Sequence, residues 1–178
     1  MWKVFLVALA LLAGGCTSMP QKFDLAASKD QGALVMSVRY SADDLTNDSS
    51  TIFRGATLSL RKEDAFMHFG DVAVSSRLVR GIDIEGERFA KLNVLLLAPG
   101  TYTLWRVEVA GWVAVLKQPL SVTIRPGRAT YAGMVQVHAI PGMRYRMDTF
   151  DMQERDIPLF MKHWPDVSRD AIDVQMPS

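Results

Sequence analysis

The sequence predicts an all-β fold: an antiparallel β-sandwich of about seven to nine strands with a short C-terminal helical segment. Three observations lead there. Turn chemistry recurs through residues 88–140, as Pro99-Gly100, Ala110-Gly111, Gln118-Pro119 and Pro126-Gly127. Proline presets φ, glycine accepts φ > 0, and neither continues a strand ladder comfortably. Between the turns, apolar and polar residues alternate with the two-residue period of a half-buried strand. One stretch, Leu92 to Leu97, is nearly continuously apolar, as in a strand buried on both faces.

The elements follow in order. Met1-Trp2-Lys3 is a short positive segment, and Val4–Ala13 is an apolar run of ten residues. That run is half of the roughly 20 residues a helix needs to span a bilayer. Gly14-Gly15-Cys16 follows, and Cys16 is the sole cysteine in the chain. These residues resemble the bacterial lipoprotein signal, in which small residues precede a cysteine that is lipidated and becomes the new N-terminus. The usual leucine three places before the cysteine is here Ala13, with Leu12 one place earlier. A lone thiol has no internal disulfide partner, and thioether lipidation removes it. The resemblance implies two or three acyl chains, enough for stable anchoring. Thr17, rather than Asp, follows the cysteine, which by the sorting rule of such lipoproteins implies the outer membrane, with the domain facing the periplasm or the cell surface. Residues 1–15 are thus expected to be a signal peptide and 16–32 a lipidated tether, with Phe23 and Leu25 able to dock on the domain. The domain proper is expected to span 33–178.

Within the domain, 33–40 alternates as a first strand, 41–50 reads as a polar loop, and 52–61 as a second strand. Arg61 to Asp64 is a charged turn, 66–74 carries a shorter apolar pattern, and 82–86 reads as turn or edge strand. Strands are then expected at 88–98, 101–109, 112–116, 120–125 and 129–140. In the second of these, Thr103, Trp105, Val107 and Val109 form the expected inward face, opposite Tyr102, Leu104, Arg106 and Glu108. In the last, Tyr131, Gly133, Val135, Val137 and Ala139 share one face. From about residue 151 the pattern changes. A helix within 151–163, beginning near Pro158, suits proline's place in a first helical turn. Trp164-Pro165 ends it. The tail is expected to pack against a sandwich edge, where open strands need cover.

Composition narrows function. Charged residues are 22% and apolar residues 49% of the 178, which is the balance of a folded domain. Lys3 is the one charge before Cys16, so the mature chain carries 19 basic and 19 acidic side chains. The basic footprint of a nucleic-acid binder is missing. His68, His138 and His163 are scattered without metal-ligand spacing, and Asp43, Asp44, Asn47 and Asp48 do not fit a calcium loop. No cofactor motif is present. Asp148, Asp151, Glu154 and Asp156 are the best carboxylate group for acid/base chemistry, but no nucleophile motif accompanies them. If several of Asp148, Asp151, Glu154 and His163 shared a pocket, the chain would read as an envelope hydrolase acting on cell-wall or lipid substrates. Trp112 and Tyr102, beside turns in the hairpin region, are the candidate binding-surface aromatics.

Two segments, Ala98-Pro99-Gly100-Thr101-Tyr102-Thr103-Leu104 and Ile124-Arg125-Pro126-Gly127-Arg128-Ala129-Thr130-Tyr131-Ala132-Gly133, resemble small bacterial lipoproteins with an immunoglobulin- or transthyretin-like sandwich, similar to carboxypeptidase regulatory-like domains. The resemblance covers residues 88–140. It implies Pro-Gly turns, a tyrosine packed across to the neighbouring sheet, and a glycine that permits close backbone approach. Such sandwiches host many roles. The expectation is a non-enzymatic, membrane-anchored module that binds or scaffolds an envelope protein, peptidoglycan or polysaccharide.

Overall fold

The computed structural model describes residues 24–25, 27–41, 57–63, 76–77, 81–109, 112–140 and 144–176. Expectations for 1–23, for the loop and first half of the second strand within 42–56, and for 64–75 lie outside them. Among the described residues there are ten strands: β1 (Gly32–Ser41), β2 (Thr57–Lys62), β3 (Ser76–Arg77), β4 (Ile82–Ile84), β5 (Glu87–Leu97), β6 (Gly100–Val109), β7 (Trp112–Ile124), β8 (Ala129–Ile140), β9 (Arg144–Phe150) and β10 (Ile172–Val174). One helix, α1 (Gln153–His163), precedes β10. The hydrogen-bonded path runs β3-β2-β6-β7-β9-β8-β1-β5-β4, with β10 added on β8. It folds over between β7 and β9, which meet at the Leu116–Met147 pairing. The result is the expected sandwich. Its pairings are mixed, because β1 and β8, β7 and β9, and β8 and β10 run parallel.

Two apolar clusters make three layers. Leu58, Leu60, Leu104, Val107 and Val122 of the β2–β6–β7 side meet Leu34, Met36, Leu95, Val135 and Val137 of the β8–β1–β5 side. On the outer face of β8–β1–β5, Val35, Leu92, Val94 and Tyr131 pack against Ile157, Phe160, Trp164 and Val167 of the tail. β5 is therefore covered on both faces, as its continuous apolar run requires. The tail does not confine itself to an edge. Ile157, Phe160 and Trp164, at i, i+3 and i+7, form a helical stripe, and the aliphatic outer face of the sheet is the surface that buries it. Each such side chain contributes about 1.5–3 kcal/mol. β10 then covers the free edge of β8 at Ala129–Tyr131.

Both expected alternations change phase midway. In β8, Val35 pairs with Tyr131 but Ser37 with Met134, so Ala132 and Gly133 together oppose Met36. This bulge reverses the facing of every later residue. Tyr131 points to the tail layer, whereas Val135 and Val137 point into the sandwich. They do not share a face. Gly133 has φ +83°, and a Cβ there would lie 2.8 Å from the Phe150 carbonyl oxygen. In β6, Leu60 pairs with Leu104 and Ser59 with Arg106, leaving Trp105 out of register. Tyr102 and Leu104 are consequently the inward residues of the first half, and Val107 of the second. Thr103, expected inside, donates instead to the exposed Glu63 carboxylate.

Three further differences have local causes. The segments 112–116 and 120–125 form one strand, β7. Its pairing with β6 jumps from Val115–Arg106 to Leu120–Leu104, so Gln118-Pro119 is an irregularity within the strand rather than a turn between two. β9 was not expected from sequence: in Arg144–Phe150 the buried apolar residue is Met147, flanked by Arg146 and Asp148. Helix α1 begins at Gln153, five residues before Pro158. Asp151 Oδ1 accepts the Gln153 N–H at 3.0 Å, and Pro158 lies on the exposed side of the helix.

Gly133→Val is expected to lower unfolding free energy by about 1–3 kcal/mol, through the positive φ and the clash with a backbone oxygen. Urea denaturation measures this, and an unchanged midpoint would show that the bulge tolerates a side chain.

Candidate functional site

The densest convergence of polar side chains among the described residues lies between the sheet and α1. Ser37 comes from β1, Glu87 from β5, Tyr131 from β8, and Arg155 and Asp156 from the first turn of α1. Asp156 is fully buried. Its Oδ2 accepts hydrogen bonds from Ser37 Oγ at 2.6 Å and Tyr131 Oη at 3.0 Å. Its Oδ1 accepts from Arg155 Nε at 2.7 Å. Arg155 also donates to Ser37 Oγ at 2.9 Å and pairs with Glu87. The Tyr131 hydroxyl in turn accepts the Met152 backbone N–H at 3.1 Å, one residue before the helix. Tyr131 thus donates to the carboxylate and accepts from the helix start.

The electrostatics fit this wiring. Burial, with the adjacent Asp156 charge, pushes the Tyr131 phenol far above its ordinary range, so it stays a proton donor. Burial disfavours the Arg155 charge, but its bonds to Asp156 and Glu87 outweigh that and raise its pKa. A buried carboxylate is costly unless its lone pairs are engaged and its charge is matched. Asp156 has three donors, one of them the Arg155 guanidinium. A serine beside a carboxylate suggests nucleophilic chemistry, but Ser37 is fully buried and its oxygen already serves Asp156 and Arg155. The network is a clamp that holds the tail on the sheet.

A second clamp holds the end of the tail. Arg128 donates through Nε to both Asp173 oxygens, at 3.1 and 3.0 Å, and through Nη2 to Asp173 at 2.6 Å and to the Asp170 carbonyl at 2.7 Å. Arg125 stands 3.7 Å from the same carboxylate. The Arg128 hydrogen bonds, partly offset by burial, hold the Asp173 carboxyl below its usual range, and the Arg128 and Arg125 charges add to this. The Gln175 carboxamide completes the attachment. It accepts the Thr123 N–H at 2.7 Å and donates to the Thr123 carbonyl at 3.0 Å, as a neighbouring strand would.

The residues singled out from sequence lie elsewhere. Cys16 and His68 are outside the described residues, as is the acidic loop. Trp112 opens β7 opposite Val109 at the hairpin end, and its side chain is outside the description. Tyr102 is 3% exposed and donates to the Ala98 carbonyl at 2.9 Å, so its ring offers no face to a ligand. The expected acid/base group is dispersed. Asp148 bonds Arg146 at 2.9 Å and lies 3.3 Å from His138, Asp151 accepts the Gln153 N–H, Glu154 and His163 are exposed, and Asp156 is sealed in the clamp. The hydrolase arrangement is not assembled. Among the described residues no three His, Cys, Asp or Glu side chains come together as a metal site would require. Sequence gave little sign of the clamp itself, because Ser37 and Asp156 are 119 residues apart.

No known protein family and no curated protein matches the sequence. Solved structures with partial likeness include a leucine-rich repeat protein from Bacteroides thetaiotaomicron, with TM-score 0.38 and 11% identity over 66% of this chain and 14% of that one. A candidate cell adhesion protein from Bacteroides fragilis has TM-score 0.40 and 12% identity over 68% of this chain and 46% of that one. The module CBMd, of family CBM41, from Eubacterium rectale Amy13K has TM-score 0.33 and 14% identity over 68% of this chain and 98% of that one. This chain thus matches under half the length of the first two. At these TM-scores the likeness does not extend to a binding face or a ligand.

Tyr131→Phe is expected to cost about 1–3 kcal/mol, since Asp156 and the Met152 N–H each lose a buried partner. A variant as stable as the parent in urea would remove the clamp from the energetics. For Asp173, whose folded pKa is lowered, the stabilisation is present above about pH 4 and is lost as pH falls below it. Asp173→Asn is therefore expected to flatten the stability profile below pH 4, measured by thermal melts across pH; a profile parallel to the parent's would contradict this.

Proposed function

We propose that the chain is a lipid-anchored, non-enzymatic binding or scaffolding module of the bacterial cell envelope. The observation that carries this is the N-terminal sequence: one positive residue, a ten-residue apolar run, Gly14-Gly15 and the sole cysteine, Cys16. Thr17 favours the outer membrane. The fold adds support of a different kind. The polar side chains that converge in the domain are engaged in attaching its tail, which is what a scaffold needs and leaves the carboxylates without a shared pocket. The partner class is an envelope protein, peptidoglycan or polysaccharide.

Cys16→Ser is expected to move the protein from the membrane to the soluble fraction and to abolish incorporation of labelled palmitate. Retention of the variant in washed membranes would overturn the anchoring. Crosslinking in intact cells is expected to recover a specific envelope partner. Turnover of an envelope substrate by the purified protein, with no partner recovered, would overturn the binding role.

A further inference from the structure

The described structure fixes where the tether meets the domain. Leu25 is buried in the tail-side cluster with Phe160 and Trp164. The Ala27 N–H bonds Asp24 Oδ1 at 3.0 Å, and the Ser28 N–H bonds the Leu25 carbonyl at 3.2 Å. The Gly127 N–H bonds the Gln31 carbonyl at 2.9 Å. Gly127, with φ +68° after Pro126, turns β7 into β8, and its Cα–H side faces the Leu25 carbonyl. The stretch from Asp24 to Gln31 is therefore attached to the β7–β8 turn and does not act as slack.

The strand registers give the domain two ends. The near end holds the start of β1, the end of β5, the start of β6, the end of β7 and the start of β8, since Gly32 pairs with Leu97, Gly100 with Ile124, and Ala33 with Ala129. The far end holds the end of β1, the start of β2, the Val109–Trp112 hairpin, the end of β8 and the start of β9, with Ser41 against His138, Thr57 against Glu108, and Ile140 against Arg144. β8 is 12 residues long, which at about 3.3 Å per residue separates the ends by about 35 Å. From Cys16 to Asp24 the chain has eight steps, reaching at most about 28 Å fully extended.

We propose that the near end, formed by the Asp24–Gln31 root, the Arg125–Arg128 turn and the adjoining tail clamp, lies against the lipid headgroups of the anchoring bilayer. This rests on the lipid anchor proposed above. A tether shorter than the strands cannot let the domain stand inverted on its far end. The far end, carrying the start of β7 at Trp112, faces outward and is the surface available to the envelope partner.

The test uses the full-length lipidated protein, whose native cysteine is acylated, so that one introduced thiol can be labelled. Lys29→Cys marks the near end and Glu85→Cys, in the turn beside the start of β5, the far end; both positions are exposed. Each is labelled with a donor dye in vesicles of phosphatidylethanolamine and phosphatidylglycerol containing an acceptor lipid. Energy transfer is expected to be about twofold or more greater from position 29 than from 85, given the separation of the ends. Inserting a long Gly/Ser linker after Ser18 is expected to reduce the difference. Equal transfer from the two sites, or greater transfer from 85, would overturn the orientation. If the parent protein is not acylated at Cys16, the anchor reading fails, and a fatty-acid labelling control reports that separately.

Discussion

The architecture depends on one backbone irregularity, the bulge at Ala132–Gly133 in β8. A strand in a two-layer sandwich keeps one face inside. β8 has to serve two cores, because the tail makes a third layer. Alternation gives it two faces, and opposing two residues to Met36 exchanges which residues look to which core. Before the bulge, Tyr131 looks toward α1; after it, Val135 and Val137 look into the sandwich. Glycine at φ +83°, close to the Phe150 carbonyl, makes the crowded backbone possible.

The clamp follows from that placement. Only with Tyr131 on the outer face does its hydroxyl reach Asp156 and the Met152 N–H at once. Helix α1 has 11 residues and a proline within it, too short and too compromised to persist alone. Its order derives from the apolar stripe and from Asp156 held by Ser37, Tyr131 and Arg155. The Arg128–Asp173 clamp and the Gln175–Thr123 pairing fix the far side of the tail to the β7–β8 turn. Leu25 joins the same cluster, so the tether root, the turn and the tail form one end of the domain.

The strand core was legible in the sequence because Pro-Gly turns and alternation are local signals. Gly32–Ser41, Gly100–Val109 and Ala129–Ile140 lie within a residue of expectation at each end. Which face pointed inward was not legible across a bulge: in β6 the expected inward set holds only after Trp105, at Val107, and fails before it, where Tyr102 and Leu104 are inside. A single unpaired residue, Trp105 in β6 or the Ala132–Gly133 pair in β8, leaves composition unchanged while reversing everything after it. β9 was invisible because Arg144, Arg146 and Asp148 interrupt the apolar pattern around its buried anchor Met147. Pro158 misled the reading of the helix, since local preference places proline in a first turn whereas the tertiary clamp on Asp156 sets the true start. Asp156 itself stood out only as one of four carboxylates weighed for acid/base chemistry. Its burial depends on partners far away in sequence, which no spacing reports.

Nuclear Overhauser contacts test the phase reversal most directly. The Tyr131 ring protons are expected to show cross-peaks to Ile157 and Phe160 side chains, while the Val135 methyls show them to the sandwich interior and none to α1. Tyr131 and Val135 reporting the same neighbours would mean an unbroken β8, and the third layer would have to be held in some other way.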